Sequence, residues 1–194
     1  LCRQAGAGRV VGVDLSGEQI ALARADEARA PLGIEYHVAD VGGMGHLGDF
    51  DLATAIMLLH YAPTPDDLAR MCHAVAANLK PGGRFVAVNL NPRLSCDETT
   101  SPEFAKYHVS CALAGPPGEG AKLLVKLETH GFTVQFHNYW YSPDTYEGAL
   151  RGAGFHTIAW HDLDIPPELE RAFGAAYWDL LIQRPLLSVL TCIR

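Results

Sequence analysis

Arg-Val-Val-Gly-Val-Asp-Leu-Ser, residues 9–16, is a short apolar run closed by one acid and followed at once by a helix start. The same pattern recurs at residues 34–40, Ile-Glu-Tyr-His-Val-Ala-Asp. Open α/β sheets bind ligands beyond the carboxyl ends of their strands, and an acid placed there can accept hydrogen bonds from ribose hydroxyls. Two such acids, Asp14 and Asp40, imply a nucleoside-shaped pocket.

Working outward, strands and helices alternate. Ser16 is read as the cap of the first helix, with Gln19 at the third helical position completing a capping-box pattern. That helix carries Ile20, Leu22 and Ala23 and stops before Pro31. Residues 34–39 form a second strand, and Gly42, Gly43, Gly45 and Gly48 leave room for only a short crossover helix or none. Residues 50–59 are the most apolar strand, expected to be covered on both faces. Thr64 caps a helix with Pro65 at its first position, and Asp66 and Asp67 suit the positive end of its dipole. Its apolar stripe is Leu68, Met71, Cys72, Val75 and Leu79. Residues 80–83, Lys-Pro-Gly-Gly, are read as its end, with a strand over 84–90. This β-α-β-α order demands a parallel sheet with right-handed crossovers.

After Asn91 the composition shifts. Residues 92–121, rich in Pro, Gly, Ser and Thr, are read as a mobile cap. Residues 123–127 and 132–141 alternate as a hairpin turning at His130-Gly131. Ser142 caps a helix that ends near Gly152–Gly154. A strand over 156–165, a helix over 168–184 and a strand over 187–193 complete the chain.

Composition bounds the function. The 194 residues, 48% hydrophobic, suit one globular domain with a substantial core. A net charge of −7 disfavours nucleic acid and anionic membranes as partners. The longest apolar stretch, 52–62, contains His60 and is too short to span a bilayer. The five cysteines are scattered, with no Cys-x-x-Cys pair, and the nine histidines lack ligand spacing. Neither a disulfide framework nor a metal site is expected, and reduced thiols fit a cytoplasmic protein.

Four stretches occur together in one order: Val-Val-Gly-Val-Asp-Leu-Ser (10–16), Ala-Asp-Val (39–41), Phe-Asp-Leu-Ala-Thr-Ala (50–55) and Leu-Lys-Pro-Gly-Gly-Arg-Phe (79–85). Through them the first 91 residues resemble the class I S-adenosylmethionine-dependent methyltransferases. The resemblance implies an α/β, Rossmann-like, mostly parallel sheet with an antiparallel last strand. It also implies one domain over 1–194 in which 92–141 is an inserted cap or lid hairpin. A narrower resemblance is to the toxoflavin N-methyltransferase-like subgroup. It rests on Leu-Leu-His-Tyr-Ala (58–62), Asn-Leu-Asn-Pro (89–92), Asn-Tyr-Trp-Tyr-Ser (138–142), the stretch 145–155 and Ala-Tyr-Trp (176–178).

One departure stands out. The family begins with a strand and a Gly-x-Gly-x-Gly loop behind the methionine part of the cofactor. Here Ala5-Gly6-Ala7-Gly8 precedes the Asp14 strand and reads as a helix-ending turn. The missing strand would lie between the Asp14 strand and the residue 50 strand, so additional upstream residues are expected.

The resemblance gives the roles. Asp14 takes the ribose hydroxyls of S-adenosylmethionine, with Leu15 beside it; the alternative for Asp14 is a strand-end acid that caps a helix. Asp40 accepts the adenine amino group while the Val41 backbone reads the ring, or else is an ordinary loop acid. Ala55 and Ile56 pass the cofactor, though core packing explains them nearly as well, and Asp51 is read as structural. His60 and Tyr61 are the catalytic candidates, His60 as a general base or as a histidine touching nothing. Asn89, with Asn91 nearby, can hydrogen-bond a substrate. Tyr107, Tyr139 and Tyr141 are lid candidates for stacking on it, or ordinary cross-strand packing. The activity implied is methyl transfer to a nitrogen, or an oxygen, of a small planar metabolite by a monomer or homodimer. A nicotinamide-dependent oxidoreductase and a non-catalytic binding protein of the same fold are the alternatives.

Overall fold

The computed structural model describes residues 1–129 and 131–194, so His130 of the expected hairpin turn lies outside the described residues. Strand β1 (Val10–Asp14) and strand β2 (Ile34–Val38) pair in parallel, joined by helix α1 (Gly17–Arg29). The Ser16 hydroxyl accepts from the Gln19 N–H at 3.2 Å. The reciprocal half of the capping box does not form, because the Ser16 N–H donates instead to Asp14 Oδ1 at 2.7 Å. A 3-10 turn over Val41–Gly43 stands where a crossover helix would otherwise run.

Strand β3 (Phe50–Ile56), helix α2 (Pro65–Ala77) and strand β4 (Leu79–Leu90) form a second parallel unit, with Ile56 opposite Val88. β3 is shorter than expected because Met57 turns into the left-handed region, φ 56°, ahead of a 3-10 turn over Leu59–Tyr61. Nor is β3 covered on both faces: Leu52 and Ile56 are 48% and 66% exposed. Its edge away from β4 has no partner strand among the described residues. Helix α2 is capped by Thr64 and opens on Pro65, as read. It ends at Ala77, so Leu79 belongs to β4, and residues 80–83 lie inside that strand where its register on β3 shifts. Gly83 is needed there, since a Cβ would lie 2.8 Å from the Lys80 carbonyl oxygen.

Residues 92–121 carry more regular secondary structure than their composition suggests. They hold a short helix α3 (Cys96–Thr99) with a complete Ser95–Glu98 capping box, a 3-10 segment over Pro102–Tyr107 and strand β5 (Val109–Leu113). β5 joins the hairpin of β6 (Ala121–Thr129) and β7 (Phe132–Trp140) in a three-stranded antiparallel sheet. Helix α4 (Pro143–Gly152) and strand β8 (Thr157–Asp162) follow. The helix expected over 168–184 is two, α5 (Pro167–Phe173) and α6 (Ala175–Gln183), broken at Gly174 where φ is 81°. Strand β9 (Leu187–Ile193) enters antiparallel between β4 and β8.

Two cores hold the layers. Leu59, Leu68, Cys72, Phe85, Tyr146, Leu150 and Leu190 form the larger, where α2 and α4 cover the β3-β4-β9-β8 sheet. Leu90, Phe104, Leu123, Val125 and Leu186 form the smaller, which seats the three-stranded sheet on the ends of β4 and β9. The β1-β2 pair is a separate sheet. Between β1 and β3 runs a slot of about 580 Å³ lined by Val11, Val13, Leu52 and Ala53.

Candidate active site

Beyond the carboxyl ends of β1, β2 and β3 the chain forms a cleft of about 920 Å³. Strand geometry puts it there, since each strand must turn away at its end and leave its last residues facing a common space. Asp14, Leu15 and Ser16 come from the end of β1, and Asp40, Val41 and Gly42 from the loop after β2. Ala55, Ile56, Met57, Leu58 and Tyr61 come from β3 and its 3-10 turn. The six residues read as the nucleoside-binding set therefore line one space. Asp14 Oδ1 accepts from the Ser16 N–H, while the helix itself is capped by the Ser16 hydroxyl, and Asp40 Oδ1 accepts from the Gly42 N–H at 3.1 Å. Neither bond uses the second carboxylate oxygen, so ribose recognition and local capping are compatible at Asp14.

The catalytic pair separates. Tyr61 lines the cleft and is 41% exposed, and burial of its remainder raises its phenol above the ordinary range. His60 is fully buried behind it. The Leu90 N–H donates to His60 Nδ1 at 3.3 Å, which leaves the imidazole proton on Nε2. Burial pushes His60 down to about 4. At neutral pH it is uncharged, its Nδ1 lone pair is taken by the Leu90 N–H, and it does not line the cleft, so it is not placed to take a proton there.

The substrate candidates divide similarly. Asn89 is buried beside His60, its Oδ1 accepting from the Leu59 N–H at 3.3 Å. Asn91 is committed to the Pro185 carbonyl and Arg93. The Tyr141 hydroxyl donates to the Ala62 carbonyl at 2.9 Å inside the larger core, and the Tyr107 hydroxyl to the Tyr177 carbonyl at 2.7 Å. Tyr107 packs on Tyr177 and Trp178 of α6. Tyr139 is half-buried against the larger core. None of these three tyrosines lines the cleft.

Sequence reading missed the far wall, Pro63, Asp67, Arg70 and Met71. Helix α2 starts four residues after Tyr61, so its first turns had to flank the mouth. Arg70 pairs with Asp67, which also accepts from the Thr64 hydroxyl at 2.6 Å. These partners hold the Asp67 carboxyl below its ordinary range, the Thr64 hydrogen bond most strongly.

Residues 1–83 match the family model described as a methyltransferase domain. An S-adenosylmethionine-dependent methyltransferase from Mesorhizobium loti superposes with a TM-score of 0.66 at 24% identity, over 100% of this chain and 85% of that one. The chain has the class I methyltransferase fold. A second S-adenosylmethionine-dependent methyltransferase, from Clostridium acetobutylicum, gives a TM-score of 0.64 at 15% identity, over 95% and 74% of the two chains. By sequence, the ubiquinone biosynthesis O-methyltransferase of Bordetella avium is 33% identical over 94 residues, 46% of this chain and 37% of that protein. Its counterpart in Hydrogenovibrio crunogenus is 26% identical over 166 residues, 84% of this chain and 60% of that protein. The chain thus spans less than two thirds of the length of either relative. Within this methyltransferase fold the cleft lies at the carboxyl ends of the strands. No helix of the described residues is long and apolar enough to cross a membrane.

Proposed function

We propose that the protein transfers a methyl group from S-adenosylmethionine to a small planar metabolite. The observation that carries this reading is the placement of Asp14 and Asp40 on one cleft of a methyltransferase fold, with apolar Leu15, Ala55, Ile56 and Met71 around them. This set fits the nucleoside half of the cofactor: a free carboxylate oxygen for ribose, polar groups at the adenine edge and apolar walls for its faces. The edges of β1 and β3 that face each other across the slot have no partner strand among the described residues.

S-adenosylmethionine, when bound, supplies an electrophilic methyl carbon. The chain's own part is to bind, orient and exclude water, and positioning can supply much of the rate. Tyr61 stands at the cleft wall nearest the three-stranded sheet, its ring 5.9 Å from that of Phe136, and its protonated hydroxyl can orient an acceptor. The three-stranded sheet and residues 92–107 act as the cap. The relatives named as O-methyltransferases favour an oxygen nucleophile. The motifs shared with the toxoflavin N-methyltransferase-like subgroup favour nitrogen and form the second reading.

Calorimetry with S-adenosylhomocysteine, S-adenosylmethionine and NAD on the intact protein tests the proposal. Binding of the first two without NAD is expected. Binding of NAD alone would favour the oxidoreductase, and binding of none would leave a non-catalytic protein of this fold.

A further inference from the structure

Behind Tyr61, at the seam between the main sheet and the three-stranded sheet, buried polar side chains keep atoms without partners. His60, Asn89, Asn138 and Ser188 are all at most 1% exposed. His60 Nε2, Asn89 Nδ2, both amide atoms of Asn138 and Ser188 Oγ have no hydrogen-bond partner among the described residues. They share one region. Ser188 on β9 lies directly opposite Asn89 on β4, and His60 is bonded to the next residue of β4, Leu90. Asn138 is two residues beyond Phe136, whose ring meets Tyr61.

Such groups cost stability when left unpaired, and apolar residues of similar shape would avoid that cost. Their retention points to a partner. Their chemistry specifies it, since His60, Asn89 and Asn138 offer N–H donors, Ser188 offers a hydroxyl and Asn138 adds one amide oxygen. The group is uncharged. Asp162, opposite Ser188 on β8, is exposed and pairs with Arg93 on the rim. A carboxylate, a phosphate or an ammonium ion would find no counter-charge inside.

We propose that His60, Asn89, Asn138 and Ser188 form the inner wall of the methyl-acceptor site and select a neutral planar molecule by its carbonyl or hydroxyl oxygen. Tyr61 divides this wall from the open cleft. Its ring lies 5.2 Å from that of His60 and lines the cleft, so an acceptor held in the cleft reaches this wall only when the Tyr61 ring is displaced. This inference rests on the methyltransferase reading for the identity of the site.

Three probes of one shape test it: 4-quinolone, quinoline-4-carboxylate and protonated 4-aminoquinoline, titrated by ligand-observed NMR with and without S-adenosylhomocysteine. The neutral quinolone is expected to bind at least tenfold more tightly than either ion. Asn138→Leu and Ser188→Ala are each expected to weaken it at least fivefold, with unchanged S-adenosylhomocysteine affinity. Melting temperature should be unchanged or raised, because an unpaired buried polar group is removed. Equal or tighter binding of an ion, binding of no probe, or quinolone affinity untouched by Asn138→Leu would overturn the proposal. Failure of S-adenosylhomocysteine to bind the unmodified protein would overturn the cofactor reading instead, and the quinolone result would still be read on its own.

Discussion

His60 ties the stability of the fold to pH. In the unfolded chain its imidazole titrates near its ordinary value of 6.5, whereas burial lowers it to about 4 in the folded protein. Between those values the unfolded state binds the extra proton, so stability rises with pH through this window and is complete above about 6.5. The full shift corresponds to roughly 3 kcal/mol, of which about 2 kcal/mol is already lost at pH 5. Carboxylates held low by hydrogen bonds, among them Asp67, Glu98 and Glu103, lose their contribution only as pH falls through the lower carboxylate range. Urea unfolding at pH 7 and pH 5, for the unmodified protein and His60→Leu, isolates the imidazole. The unmodified protein should lose about 2 kcal/mol more than the variant over this interval. Equal losses in both would refute the burial and protonation state assigned to His60.

Asp14→Asn keeps an acceptor for the Ser16 N–H and removes the charge from the cleft. S-adenosylhomocysteine binding should weaken by about 1–3 kcal/mol in calorimetry, without loss of fold. Leu68 is fully buried in the larger core, and Leu68→Ala should cost about 2–5 kcal/mol in chemical unfolding. If the three-stranded sheet closes over bound ligands, cleavage between residues 114 and 120 should slow when S-adenosylhomocysteine and an acceptor are present. That Gly-Pro-rich turn between β5 and β6 is where a protease should cut first; equal rates with and without ligands would argue against a lid.

The local signals of the chain were legible because their physics is local. Thr64 and Ser142 cap α2 and α4 as read, each followed by proline. Asp14 and Asp40 reach one cleft because parallel strands joined by crossovers must bring their carboxyl ends together. What was hidden depends on distant partners. The orientation of His60 is set by the backbone of Leu90, thirty residues on, and the hydroxyls of Tyr107 and Tyr141 are taken by carbonyls 70 and 79 residues away in the chain. β5 was masked by the Pro and Gly residues around it, and the break at Gly174 by helical sequence on both sides. Ser188 carried no sequence signal and Asn138 only its place in the 138–142 stretch, since burial without a partner is what distinguishes them.

A crystal structure of the protein with S-adenosylhomocysteine tests the central claim most directly. Both ribose hydroxyls are expected within about 3 Å of Asp14, with the adenine edge at Asp40 and Val41. A nucleoside lodged elsewhere, with Asp14 turned away from the ribose, would contradict it.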